Sequence, residues 1–372
     1  QADKLKDQPQ NSDLRARMLY EAAWCYRALA ELEIASAREQ LQKEQWQKLK
    51  DEAAKNTPPG QTPPSVAPPE VAQAAVPEQP STKKAHALYE ALIEDFGDTA
   101  LATDARFELA ELLAGQGQWE QVEKQLSEAL DKEPAAELTD KVRLRLGESH
   151  AAKGDFAAAL TEFEAVAQNP KSPLAGQAQY RAGECLFRAK DYEKAVAHLA
   201  VFRDQQPFQN LPGVTDRALL RLGEALAHLG RWDQSRQALE QLVNRFGSSP
   251  WVPEARYGMG WAWQNQKQYD NAVNAYNQVA AGTETGAKAQ LQIGLCRLEQ
   301  KRYAEAAVAL MAVPYTYDYP ELNAAALCEA GRALVELKQP DQAVSLWRRV
   351  LQDHPQSEWA KVAKERLNKV TK

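Results

Sequence analysis

The sequence predicts an all-α protein, an α-solenoid of about eight stacked helix–turn–helix units. The first observation is the stretch 137–168, which has the pattern of two short helices joined by a tight turn at 153–155. Phe156 opens the second helix, and Ala159 and Phe163 follow on the same helical face. One such pair cannot bury its apolar stripe alone, so copies of it must stack.

The second observation is that this pattern recurs with constant spacing. The first helix (helix A) carries a small residue, and nine positions later a residue opens the second helix (helix B). A small or apolar residue lies three positions after that opener. Successive openers lie 34 to 40 residues apart, so the variation falls in the loops between hairpins. The triplets are Ala110/Trp119/Val122, Gly147/Phe156/Ala159, Gly183/Tyr192/Ala195, Gly223/Trp232/Ser235, Gly260/Tyr269/Ala272, Gly294/Tyr303/Ala306 and Gly331/Pro340/Ala343.

The third observation is a large residue four positions after each triplet. These residues are Leu126, Phe163, Leu199, Leu239, Tyr276, Leu310 and Trp347. With the small residue in helix A and the aromatic opener, the chain resembles the tetratricopeptide repeat family, from which Pro340 and Ala110 are the two departures. The resemblance implies a right-handed superhelix that binds a protein or peptide in the concave groove formed by its A helices.

The connections between hairpins carry a narrower resemblance. Residues 94–113, 244–260 and 352–367 have an aromatic or His, then Gly or Pro, a polar pair and a new helix. This phrase is similar to the tetratricopeptide subgroup of bacterial envelope proteins, such as the periplasmic partner of the Tol-Pal system and the lipoprotein that helps outer-membrane barrel assembly. It implies the periplasm or cell envelope of a bacterium, with the cytoplasm as the alternative. Because the chain begins at Gln1 rather than Met, we expect a processed product or an excised fragment.

The pattern is interrupted near the N-terminus. Residues 1–35 are predicted to be a polar tail and helix A of a first repeat, and 36–81 an inserted charged helix and a flexible Pro-rich loop. The sequence thus predicts a split first repeat, a solenoid over 82–355 and a capping helix over 356–372. In the alternative, residues 36–55 are helix B of that repeat and 82–96 are an additional helix.

Composition and motifs bound the function. The net charge of −6 offers no basic footprint for nucleic acid, and no apolar run approaches the ~18 residues of a membrane span. The five His are dispersed, and the GxGxxG, GxxxxGK[ST] and GxSxG motifs are missing, so we expect neither catalysis nor a cofactor. Without a CxxC motif, no zinc site is expected. Cys25, Cys185 and Cys296 are predicted to be small buried residues, and a Cys296–Cys328 disulfide is an alternative.

An acidic row marks the first candidate binding surface. Glu111, Glu148, Glu184 and Glu224 each follow the small residue by one position, which in the tetratricopeptide family faces the groove. Such a row would attract a basic segment of a partner. Alternatively, Arg145, Arg181 and Arg221, three residues before three of these Glu, form surface ion pairs with them. The next three repeats have Trp261, Leu295 and Arg332 at this position, so the groove changes from acidic to apolar.

Aromatic residues mark further candidates. Phe107, Tyr180 and Tyr257 lie three positions before the small residue, another position that faces the groove in this family, and Trp261 is the predicted apolar anchor. Two long connections, 207–214 and 314–322, break the repeat. The second connection carries Tyr315, Tyr317 and Tyr319, which either contact a partner or pack over the edge of the array.

Three functions remain open at this point. The first is a non-catalytic scaffold that binds a protein or peptide with a basic segment. The second is the docking or regulatory region of a larger enzyme or of an envelope or secretion machine. The third is a structural protein that self-associates through 36–55, whose helix carries an imperfect apolar stripe of Ile34, Ala37, Leu41, Trp46, Leu49 and Ala53.

Overall fold

The computed structural model describes residues 12–57, 66 and 68–370, and these residues form helices and connections without a β-strand. The chain divides into two compact units, one up to residue 179 and one from residue 180. Each unit has its own buried apolar clusters. Within the described ranges, no helix is both long and apolar enough to cross a membrane.

The first unit holds the N-terminal helices. These are α1 (Ser12–Lys55), α2 (Pro80–Phe96), α3 (Ala100–Gly115), α4 (Trp119–Leu130), α5 (Ala136–Lys153), α6 (Phe156–Ala167) and the start of α7 (Ala175–Arg188). The second unit continues with α8 (Tyr192–Leu199), α9 (Val201–Asp204), α10 (Thr215–His228), α11 (Trp232–Arg245), α12 (Val252–Asn265), α13 (Tyr269–Tyr276), α14 (Glu284–Glu299), α15 (Tyr303–Thr316), α16 (Pro320–Glu336), α17 (Pro340–Asp353) and α18 (Glu358–Val370).

The hairpins follow the predicted register. Every predicted opener, from Trp119 of α4 to Pro340 of α17, is the first residue of its helix B. The all-α fold of helix–turn–helix repeats is therefore confirmed. In each turn, the residue two positions before the opener has a left-handed backbone, as at Gly154 with φ of 84° and Lys190 with φ of 63°. Asp155 then caps α6, because its Oδ1 accepts a hydrogen bond from the Ala158 amide at 3.0 Å.

Each small residue of helix A lies against the large residue of helix B. A Cβ atom built on Gly147 would lie 2.7 Å from the Phe163 ring, and one built on Gly331 would lie 2.4 Å from Nε1 of Trp347. The same close approach holds for the pairs Gly183/Leu199, Gly223/Leu239, Gly260/Tyr276 and Gly294/Leu310. The large side chains are nearly fully buried, so glycine is needed for the two helices to meet at this distance.

Helix α1 is a single helix of 44 residues. Its first half packs on α2, where Ala23, Ala85 and Tyr89 are fully buried, and the rings of Tyr20 and Tyr89 lie 6.0 Å apart. The helix continues to Lys55 without a turn, so residues 36–55 do not form a separate helix B. The split first repeat stays a prediction, which the packing of Ala23 with α2 supports.

The predicted Pro-rich loop falls partly outside the described residues, namely at 58–65 and 67. Its described part packs against α1, which differs from the expected flexible loop. The Trp46 indole donates a hydrogen bond to the Val66 carbonyl at 2.7 Å, and Gln42 donates to the Pro69 carbonyl at 2.8 Å. Val71 is buried and a 3-10 turn spans Gln73–Ala75. These donors on α1 satisfy carbonyls that local composition alone would leave to water.

The predicted connection 314–322 is mostly helical, which corrects the sequence-based expectation. Helix α15 continues through Pro314 to Thr316, and α16 begins at Pro320. Burial of Val313 in the core holds the last turn of α15, whose final bond joins the Tyr317 amide to the Val313 carbonyl at 3.0 Å.

The cysteines also depart in one case from the prediction. Cys185, Cys296 and Cys328 are buried free thiols, so the disulfide alternative is not formed, and burial raises the pKa of Cys296 to about 12. Cys25 is exposed. The reason lies in the repeat: the equivalent Ser149 faces the preceding hairpin, 3.4 Å from the Trp119 carbonyl, whereas no described helix precedes α1.

Candidate functional site

The acidic row of the first unit is engaged by an arginine. The Arg145 guanidinium donates from Nε and Nη2 to Glu111 of α3 and from Nη1 to Glu148 of its own helix, the last at 2.7 Å. Burial alone would lower the pKa of Arg145, but the hydrogen bond to Glu111 and the charges of both carboxylates raise it above its ordinary value. Glu111 and Glu148 therefore do not form free carboxylates.

The second unit repeats the arrangement. Arg221 of α10 donates from Nε to Glu184 of α7 at 2.8 Å and from Nη1 to Glu224 at 2.5 Å. Arg188 contacts the other oxygen of Glu184 at 3.1 Å. The predicted ion pairs three residues apart thus form at Arg145 and Arg221, and each arginine also reaches the preceding A helix. We call each arginine with its two glutamates a rung of an Arg–Glu ladder.

An open cleft lies on the A helices of the second unit, beyond the Arg221 rung. It has a volume of about 330 Å³ and is lined by residues of α7, α10, α12 and α14 together with Ser235 and Leu239 of α11. Trp261 and Tyr257, the predicted anchor and its aromatic neighbour, both line the cleft. The Trp261 ring meets Trp232 edge to face at 5.4 Å, which fixes its orientation while leaving it partly exposed.

The other predicted groove residues lie elsewhere. Phe107 packs against the core of the first unit. Tyr180 is half-buried, and desolvation together with the charge of Glu184 raises its pKa. Arg332 is held by Glu329 of its own helix at 3.1 Å. None of these three lines the cleft.

The three tyrosines of the second long connection separate in the structure. Tyr315 projects from the last turn of α15 and is 74% exposed, with the Arg349 guanidinium 5.9 Å from its ring. Tyr317 packs against the apolar cluster of α15 and α16, and burial raises its pKa. Tyr319 is half-buried. Only Tyr315 is left as a large exposed aromatic surface at this position.

The corresponding surface of the first unit is covered by the chain itself. A cavity of about 490 Å³ beside Arg27, Glu111 and Arg145 is closed on one side by Gln73, Ala74 and residues 76–79. Gln116 donates a hydrogen bond to Glu78 at 3.3 Å. The described end of the inserted segment thus lies where a partner would meet the A helices of this unit.

Helix α1 exposes an apolar surface of which the sequence analysis singled out only Leu49. Five of the seven large hydrophobic side chains that lie exposed within the described ranges belong to it: Leu14, Trp24, Leu29, Leu32 and Leu49. The 36–55 stripe predicted for self-association is partly covered instead. Ile34 lines the cavity closed by residues 76–79, and Trp46 contacts Val66.

The cleft contains residues that the sequence analysis missed. Gly258, Glu254, His228, Phe187 and Lys288 all line it. One signal was present: two positions before the small residue, three consecutive repeats have arginine and the next has Gly258. Across the described part of the chain, no group of three His, Cys, Asp or Glu side chains is placed to hold a metal ion.

The fold defines an α-helical repeat protein built of consecutive helical hairpins. Sequence profiles identify the repeats: tetratricopeptide repeat profiles match residues 144–210 and 257–314, and residues 217–249 and 325–357. The chain therefore carries tetratricopeptide repeats, as its sequence predicts. A search of curated proteins returns no match.

Three solved structures match this chain at low identity. Apo RapI is 9% identical with a TM-score of 0.52, and the match covers 78% of this chain and 92% of RapI. A tetratricopeptide repeat protein from Parabacteroides merdae is 15% identical, with 73% and 99% covered and a TM-score of 0.48. YrrB, described as a TPR protein with an unusual peptide-binding site, is 17% identical, with 57% and 97% covered and a TM-score of 0.43. At 9% identity, the likeness to RapI shows the fold alone.

Proposed function

We propose that this protein is a non-catalytic interaction scaffold that binds an extended or helical segment of a partner protein along the A helices of its second unit. The cleft beside Trp261 carries this proposal. It combines a partly exposed indole, the Tyr257 ring and charged groups in a concave surface, which is the composition of protein-binding hot spots. On the first unit, Gln73, Ala74 and residues 76–79 line the corresponding cavity, so a partner there would share the surface with the chain's own segment.

A basic segment remains the partner chemistry that we propose, but the attraction does not come from the whole acidic row. The four predicted glutamates are paired with Arg145 and Arg221. Two carboxylates line the cleft: Glu224, which Arg221 contacts, and Glu254, which is not a member of the row. We also propose a location in the bacterial envelope and a docking role within a larger envelope or secretion machine. Both rest only on the sequence pattern of the connections between hairpins. Fractionation of the native cell tests the location.

Trp261→Ala should weaken the binding of a partner peptide at least tenfold without unfolding the protein. The peptide would be selected from a random displayed library on the intact chain, and its affinity measured by fluorescence polarisation. A tenfold loss corresponds to about 1.4 kcal/mol, which is within the range of a buried aromatic anchor.

The matched control is Tyr315→Ala, since Tyr315 is an aromatic of the same unit with 74% exposure. Binding that depends on Tyr315 and not on Trp261 would move the site to the end of α15. A large fall in the melting temperature of the Trp261 variant would show that Trp261 is a core residue, and the anchor role would be lost.

We propose self-association as a second function, through α1. Leu14, Met18, Cys25, Leu29 and Leu32 form one stripe, because their spacings of 4, 7, 4 and 3 residues are those of a coiled-coil face. Four of the five side chains are exposed. In α5, the equivalent face packs against the preceding hairpin, so this surface has the shape and chemistry to pair with a helix.

The occupant that fits this stripe is α1 of a second copy in antiparallel orientation. Leu14 then lies near Leu32 of the partner copy. Arg17 and Glu31, both exposed on one flank of the stripe, come together with opposite charge.

Leu32→Glu should therefore lower the self-association constant at least tenfold in sedimentation experiments, whereas Leu49→Glu, an exposed leucine outside the stripe, should leave it unchanged. A protein that stays monomeric at all concentrations up to about 100 µM, a Kd typical of weak dimers, would contradict the proposal. An equal effect of Leu49→Glu would instead favour self-association through 36–55.

A further inference from the structure

The two arginines of the Arg–Glu ladder make the same pattern of contacts. In α5 and α10, the arginine two positions before the small glycine reaches backward to a glutamate of the preceding A helix and forward to the glutamate three positions later in its own helix. A guanidinium suits this bridging position because its donors lie in one plane and point in several directions. Each rung thus joins two consecutive repeats.

The next rung of the second unit is missing. Gly258 of α12 occupies the arginine position, and Trp261 occupies the position of the forward glutamate. Arg221 contacts Glu224 from its own helix, but Gly258 has no side chain that could contact Glu224 as Arg221 contacts Glu184. The open cleft lies at this point, with Gly258, Glu224 and Trp261 all among its lining residues. The cleft is therefore the space that an arginine side chain would fill.

One carboxylate beside this space is only partly satisfied by hydrogen bonds. Glu254, one helical turn before Gly258, accepts a hydrogen bond on Oε1 from Thr285 at 2.9 Å. Its Oε2 atom is buried and has no hydrogen-bond partner among the described residues. Lys288 also lines the cleft, but Glu284 holds its ammonium group at 2.7 Å. A buried carboxylate oxygen without a donor is costly unless a cation or donor approaches it.

Glu224 is the second carboxylate that lines the cleft. Desolvation raises the pKa of its carboxyl, Arg221 opposes this shift, and the charges of Glu184 and Glu254 raise the pKa further. Its side chain is nevertheless 38% exposed on the cleft side, so a ligand can reach it. The carboxylate thus stands where additional positive charge is favourable.

We propose that the cleft binds the guanidinium of an arginine side chain from the partner segment, which completes the missing rung. This inference rests on the proposed scaffold function and names the chemistry of its main contact. The guanidinium hydrogen-bonds to Glu224, lies against the Trp261 ring and is attracted by the unpaired charge of Glu254. Arginine fits better than lysine because a planar guanidinium can stack on an indole and bond a carboxylate at the same time.

The sharpest variant supplies the missing arginine from the chain itself. Gly258→Arg should place a guanidinium on Glu224 as Arg221 does on Glu184, and should lower the affinity for arginine-containing peptides at least tenfold. Gly258→Ala is the matched control and should retain binding. A Cβ at this position would lie 2.8 Å from Cδ1 of the buried Leu239, so both variants require the same local adjustment, and the melting temperature of each is measured beside its affinity.

Glu254→Gln provides a second variant that keeps the shape of the cleft, in case Gly258→Arg lowers the melting temperature. It should weaken the same peptides severalfold, since it removes the charge while keeping the amide oxygen for Thr285. Unchanged affinity in both variants would overturn the arginine site.

The probe is the set of nine-residue peptides that a random displayed library enriches on the full chain, each also synthesised with citrulline, the neutral isostere, in place of arginine. The inference is supported if the enriched peptides share an arginine and if replacing this arginine by citrulline lowers their affinity at least tenfold. Peptides that need Trp261 but bind equally with citrulline overturn it and leave the scaffold function intact. No enriched peptide at all would count against the scaffold function itself, and the inference would fall with it.

Discussion

Trp347→Ala is expected to lower the free energy of unfolding by about 3–5 kcal/mol, the usual cost of truncating a large buried aromatic side chain. Trp347 is 2% exposed and lies directly against Gly331 of the preceding helix. Its Nε1 donates a hydrogen bond to the Cys328 carbonyl at 3.1 Å. Alanine would leave a cavity that the rigid helix pair cannot close, because glycine on the opposite helix has no side chain to fill it.

The measurement is urea denaturation followed by circular dichroism. Val308→Ala is the control, since Val308 lies in the same unit and is 74% exposed, and it should change stability by less than about 0.5 kcal/mol. Similar losses in the two variants would mean that the Gly331–Trp347 contact does not hold the last hairpin together.

Arg145→Ala is expected to lower the free energy of unfolding by about 2–3 kcal/mol at pH 7, since it breaks several charge-assisted hydrogen bonds at once. The Arg145 side chain is 31% exposed, and Glu111 and Glu148 are each 18% exposed, so solvent screens this rung only partly. Without the guanidinium, two carboxylates from neighbouring helices face each other without a shared counter-charge.

The free energy of unfolding is measured by urea denaturation at pH 7. Lys141→Ala is the control, because its pair with Glu137 is largely exposed and should contribute less than about 0.5 kcal/mol. A loss at Arg145 no larger than that at Lys141 would contradict a structural role for the ladder.

Local pattern was sufficient to predict the hairpins. The nine-residue offset identified every opener from Trp119 to Pro340 as the first residue of a helix B. The pairing of Gly147 with Phe163, and of the equivalent residues in other repeats, also follows from spacing. Both features depend on contacts within one hairpin, where sequence distance and spatial distance are closely related.

Exposure and packing that depend on a residue's place in the array of repeats were harder to predict from the sequence. The pattern places Cys25 where other repeats bury a small residue, but the burial is provided by the preceding hairpin, which α1 does not have among the described residues. The Pro-rich segment has a composition typical of flexible linkers, yet the carbonyls of its described part accept hydrogen bonds from α1. Gln42 lies 27 residues before Pro69, and Trp46 lies 20 residues before Val66.

The sequence by itself determined the fold class, the register of the hairpins and the residues through which each helix A meets its helix B, because these follow from periodicity within about 35 residues, the length of one tetratricopeptide unit. Only the tertiary structure decided which carboxylates stay unpaired. Whether Glu111, Glu184 or Glu254 has a counter-charge depends on a side chain from a neighbouring helix, 34 to 37 residues away for the two Arg rungs. At Gly258 that side chain is missing, and the cleft beside Trp261 is the result.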